Sequence, residues 1–126
     1  MEQEEKYKKE IGTKEPKKLE TGKVKVVGVR IDYKEKVKQD IVVFLVKHPD
    51  KDDPIELSSA KVLRQKDKLQ VIGLWYGFDE DENIQKGTAI AEVMTFYDIP
   101  TLKDATGKDM ETVEDEDGYL CIKAYK

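Results

Sequence analysis

Apolar residues recur along this chain with two periods. In KVKVVGVRIDY (23–33) they alternate with polar ones, Val24 and Val26 on one face; past Gly28 the phase changes, so that Val27, Val29, Ile31 and Tyr33 share a face. A phase change in a period-two pattern beside a glycine predicts a β-bulge. The next run, DIVVFLVKH (40–48), is apolar on both faces from Ile41 to Val46, as a central strand is. The short link KEKVKQ predicts an antiparallel hairpin, and PDKDDP, with Pro49 and Pro54 around charged residues, predicts a loop. IELSSAKVLRQ (55–65) and KLQVIGLWY (68–76) read as a third and fourth strand joined by a tight turn at Lys66-Asp67-Lys68.

The period then lengthens to that of a helix. Ile90, Val93, Met94 and Tyr97 fall at i, i+3, i+4 and i+7 on one face, with Ala89 and Phe96 beside it. Asn83 or Thr88 caps the start, and Ile99-Pro100 ends the helix. TLKDATGK is a loop or single helical turn closing at Gly107, and residues 109–125 form a hairpin about Asp117-Gly118. The order β-β-β-β-α-β-β predicts a mainly β protein with one helix, a small antiparallel barrel like the oligonucleotide-binding fold, spanning residues 23–126. Val93, Met94 and Tyr97 are expected in the core. Trp75 is expected to continue the Leu69 and Val71 face into it, with Tyr76 on the opposite face. Residues 1–22 have few apolar positions and no sustained period; a flexible charged tail is expected, or alternatively a short helix at 2–11.

A chain of 126 residues suits one domain. Charged residues make up 40%, mostly Lys and Glu, with one Cys and one His, a bias expected of proteins from hot environments. The lone Cys121 forms no internal disulfide and no Cys-based metal cage, which points to a reducing compartment. No apolar run reaches a membrane span and no signal-peptide core begins the chain, so a soluble, cytoplasmic protein is expected. Net charge is −4, but unevenly spread: residues 23–38 carry six Lys or Arg against two acids, and residues 39–126 carry eleven against nineteen.

Candidate chemistry is sparse. Asp79, Asp81 and Asn83 match the opening of a calcium loop, but Ile84 and Ile90 stand where it needs Gly and Glu, so a capping loop at the helix N-terminus is expected instead. His48 reads as a solvated loop residue, and Ser58 and Ser59 lack a nucleophile-elbow context. There is no phosphate loop or dinucleotide fingerprint. No catalysis, metal or cofactor is expected. What remains is two basic groups, Lys34, Lys36 and Lys38 in the first hairpin link and Lys61, Arg64, Lys66 and Lys68 about the third strand, with Trp75 and Tyr76 as stacking aromatics.

GTAIAEVMTFYDIPTLKDATGKDMETVEDEDGYLCIKAY (87–125) resembles accessory proteins of DNA replication from phages and archaeal viruses: a short helix with a small-residue start, a step from Leu102 to Gly107-Lys108, and a hairpin closing on the strand Tyr119 to Tyr125. The resemblance implies binding of single-stranded DNA on an antiparallel face. The chain departs from it in having six expected strands rather than five and an acidic final turn, EDEDG. A non-catalytic protein that binds single-stranded nucleic acid is therefore expected, through Lys34, Lys36, Lys38, Lys61, Arg64, Lys66, Trp75 and Tyr76. The alternative is an interaction module that holds a basic protein partner through the acidic stretches Asp79 to Glu82 and Glu114 to Asp117.

Overall fold

The computed structural model describes residues 7, 8, 10, 11 and 19–126. Among them are seven strands, β1 (Lys23–Lys34), β2 (Gln39–Lys47), β3 (Ile55–Leu57), β4 (Ser59–Arg64), β5 (Lys68–Gly73), β6 (Asp109–Glu114) and β7 (Leu120–Ala124), and the helix α1 (Ala89–Phe96). The strands form one sheet in the order β3-β2-β1-β6-β7-β4-β5. Most pairs are antiparallel, but β4 and β7 run parallel. The mainly β architecture with one helix is as expected. The expected six-strand antiparallel barrel is not: the terminal strands β3 and β5 do not pair with each other, so the ladder is open.

The extra strand arises at Ser58. The expected third strand, 55–65, breaks there into β3, which pairs with β2, and β4, which pairs with β5 and β7. The bulge beside Gly28 is present, as a register shift between Val26 and Gly28. It lets both halves of β1 place valines over the same core: Val24 and Val26 before it, then Val29 opposite Phe44 after it, while Ile31, opposite Val42, is left exposed. On the other face Arg30 lies opposite Val43, between Asp32 at 2.8 Å and Glu56 at 2.5 Å. The fourth strand ends at Gly73, three residues earlier than expected. Its alternation puts Ile72 and Leu74 toward the core and leaves Leu69 and Val71 on the outer face, contrary to expectation, whereas Trp75 is half-buried and packs against the core as expected, with Tyr76 also packed against it.

His48 is another correction: it is 3% exposed. Its Nδ1 accepts from the Asp50 N–H at 3.0 Å, so Nε2 carries the proton and donates to the Glu20 carbonyl at 2.9 Å. The short turn after β2 folds back over the ring, and a neutral imidazole with both nitrogens bonded is buried at little cost. Most of the expected tail, residues 1–22, lies outside the described residues. At its end the Gly22 N–H donates to Thr112 Oγ1 and the Gly22 carbonyl accepts from the Thr112 N–H at 2.8 Å.

Thr88 caps α1, its hydroxyl accepting from the Ala91 N–H, and Ala89, Ile90, Val93 and Met94 are buried against β4 and β7. Tyr97 is half-buried rather than buried because its hydroxyl has a polar task. Beyond Thr112, which pairs with Ile122, β6 leaves β7 and joins β1. At the fork the Tyr97 hydroxyl accepts from the Glu111 N–H at 3.0 Å and donates to the Lys123 carbonyl at 2.5 Å, standing in for one rung of the ladder.

Replacing Tyr97 by Phe is expected to cost about 1–3 kcal/mol in a urea melt, because two strand groups lose their partner. Burial raises the Tyr97 pKa above its ordinary value. Its contribution is therefore complete below about pH 10 and is lost as pH rises through the folded-state value; above that range the parent and the Phe variant should converge. Met94→Ala, which empties part of the helix interface, should cost on the order of 2–5 kcal/mol in the same melt.

Candidate nucleic-acid interface

The basic turn at the tip of the first hairpin forms because β1 and β2 pair to their ends, Lys34 with Gln39, leaving four residues to reverse the chain. Lys38 takes the left-handed conformation there (φ 52). Lys34, Lys36 and Lys38 are all exposed, and no ion pair among the described residues engages them. Elsewhere on β1, two of the three cations, Lys25 and Arg30, are in ion pairs. The Asp32 and Glu56 carboxylates raise the Arg30 pKa further, the guanidinium in turn holds Asp32 below the usual carboxylate range, and Lys25 lies 3.7 Å from Asp109. Among the described residues of β1 and its turn, Lys23 and the three tip lysines are left outside ion pairs.

Aromatic side chains adjoin it. Tyr33 pairs with Asp40, whose carbonyl accepts from the Tyr76 N–H at 2.9 Å, so Tyr33 and Tyr76 flank Asp40 at one level of the sheet. Tyr33 is 59% exposed. No signal in the sequence singled it out: only the register, which sets it opposite an acid, shows that the hairpin outruns the core there.

The second basic group lies elsewhere. The Lys61 ammonium donates to the Glu114 carbonyl at 3.1 Å, and Arg64 is paired with Glu92 of α1. Lys66 is exposed in the turn before β5, with Lys68 at the strand's start. β5 runs six residues from there to Gly73, about 20 Å, so this turn and Tyr76 stand at opposite ends of the strand. Of the eight expected residues the fold brings together Lys34, Lys36, Lys38 and Tyr76 and sets Lys61, Arg64 and Lys66 apart.

Trp75 points away from Tyr76. It bridges the buried Ile41 and packs half-buried against the core, and its indole lies over Gly73, where a Cβ would come within 3.0 Å of Nε1. Gly73 therefore makes room for the ring rather than a bend. Tyr76 instead stacks at a tilt on Phe78, centroids 4.6 Å apart. These rings open a groove of about 660 Å³ that runs past Ile84 to Met94, Ile99 and Leu102. Phe78, missed in the sequence because it stands outside any strand pattern, is 51% exposed.

The acidic stretches serve their own turns. Asp79 Oδ1 accepts from the N–H groups of Asp81 and Asn83, closing a loop between bridge partners Phe78 and Ile84, and Asp115 Oδ1 does the same for Asp117 and Tyr119. The Asp79 loop is not the helix cap that was expected, since Thr88 fills that place and Glu92 is the acid of the first turn.

Among the described residues no cluster of three His, Cys, Asp or Glu could hold a metal ion. Burial pushes the Cys121 thiol pKa up, which makes it a poor nucleophile. No described helix is long and apolar enough to cross a membrane. No protein-family model, curated protein or solved structure matches the chain.

Replacing Gly73 by Ala should push the indole off the strand, with a loss of about 1–3 kcal/mol as for other overpacked sites and a red shift of Trp75 emission. An unshifted spectrum would mean that the ring does not rest there.

Proposed function

We propose that the protein is a non-catalytic binding protein that takes single-stranded nucleic acid at the tip of the first hairpin. The observation that carries this reading is the turn of three exposed, unpaired lysines beside Tyr33 and Tyr76. The ammonium groups meet phosphates, and the two rings offer faces to unstacked bases, a pairing that tolerates any sequence. The resemblance of residues 87–125 to phage and archaeal-virus replication accessory proteins supports the same reading. Lys61, Arg64, Lys66 and Trp75 are left out of the interface.

Three phosphate contacts give a log-log salt slope of about −2 on the single-strand scale. In an anisotropy titration of a labelled oligothymidylate, Lys34, Lys36 and Lys38 replaced together by Gln should abolish both binding and slope. Tyr33→Ala should cost about 1–3 kcal/mol, and Lys66→Gln should change nothing. Failure of the parent protein to bind at low salt, or an equal loss from Lys66→Gln, would reject the proposal.

A further inference from the structure

We propose that the groove beside α1 is a docking site for a basic, amphipathic helix of a protein partner, a reading that does not rest on the nucleic-acid one and shares only Tyr76 with it. Its floor and walls are Tyr76, Phe78, Ile84, Met94, Ile99 and Leu102, drawn from the segment after β5, the helix, and the chain after it. A volume of about 660 Å³ lies within the range of about 300–1,000 Å³ typical of ligand pockets and accommodates two or three large apolar side chains.

The charged residues that line the groove are Glu82, from the loop before α1, and Asp98, from the chain after it, and no lysine, arginine or histidine lines it. Glu82 belongs to the Asp79 loop, whose other acids Glu80 and Asp81 add to the negative field. Neither Glu82 nor Asp98 is in an ion pair among the described residues, and both are exposed. An apolar floor between unpaired carboxylates complements a segment that buries an apolar stripe and carries Lys or Arg on its flanks. The same rim repels phosphate, which separates the groove from the lysine tip. The wall-forming segments are a helix and irregular chain, not a strand of the sheet, so an incoming strand has no ladder to extend. A helix presenting apolar anchors at i, i+3 and i+4 fits instead.

The test uses fluorescein-labelled peptides of Leu and Lys in helical amphipathic order, with a Ser and Lys peptide of equal charge and a Leu and Glu peptide as controls, read by anisotropy. The Leu/Lys peptide should bind and both controls should fail. Phe78→Asp, at an exposed position, should weaken binding on the order of tenfold or more. Glu82→Gln with Asp98→Asn should weaken it roughly fivefold and reduce its salt dependence, while oligothymidylate binding is unchanged by this charge-neutralising pair. Should Phe78→Asp fail to fold, Glu82→Lys with Asp98→Lys, both on the surface, replaces it and should abolish binding. Equal binding of the Ser/Lys peptide, or Leu/Lys binding untouched by these changes, would overturn the proposal. Displacement of the peptide by oligothymidylate would also overturn it and assign the groove to bases.

Discussion

Leu74 is fully buried, and its backbone ties the two halves of the sheet together. A buried N–H and C=O must both find partners, and here they lie on different strands: the N–H donates to the Ser58 carbonyl at 2.9 Å and the carbonyl accepts from the Val42 N–H at 2.8 Å. One residue thus holds the chain break between β3 and β4 against the center of β2. The alternation of side chains does the rest. With Leu74 committed inward, Trp75 lies over Gly73 and packs half-buried beside Ile41, and Tyr76 follows at the level of Asp40. The hairpin tip and the groove both take their aromatic edge from that placement.

A second joint lies across the sheet. β6 is shared, pairing with β1 at one end and β7 at the other, and a strand that changes partners leaves groups unpaired at the fork. The Tyr97 hydroxyl, delivered from the end of α1, satisfies two of them. The helix therefore contributes more than apolar cover: its last turn and the sheet's fork hold each other in place. The chain then runs past Ile99 to Leu102 and supplies the far wall of the groove.

Charge is distributed by the same geometry. Arg30, Lys61 and Arg64 are drawn into local pairs by strands and a helix that pass close to them, whereas the lysines of the first hairpin tip are in no ion pair among the described residues, although Lys34 acts on Asp32 and Glu35 shares the turn. A protein that is acidic in total thus keeps a compact cationic turn. It also keeps an acidic, apolar-floored groove, separated from that turn by Tyr76. Two surfaces of opposite character on one small domain give a physical basis for binding two unlike partners.

By itself the sequence determined the elements that depend on near neighbours. The bulge at Gly28, the first hairpin, the last hairpin about Asp117-Gly118, and the buried face of Ile90, Val93 and Met94 were all legible, because turn chemistry and side-chain period act within a few residues. The tertiary structure alone decided what depends on distant partners. The break at Ser58 lies inside an unbroken strand pattern and exists because β2 and β7 compete for the two halves of that run. His48 is buried because Glu20 and Asp50 meet its two nitrogens, and no local pattern announces that. For the candidate interface, the sequence marked the lysines of the hairpin tip and Tyr76. Which cations stay free, which aromatics stand beside them and where a groove opens are questions of what folds against what, and period and composition carry no information about that.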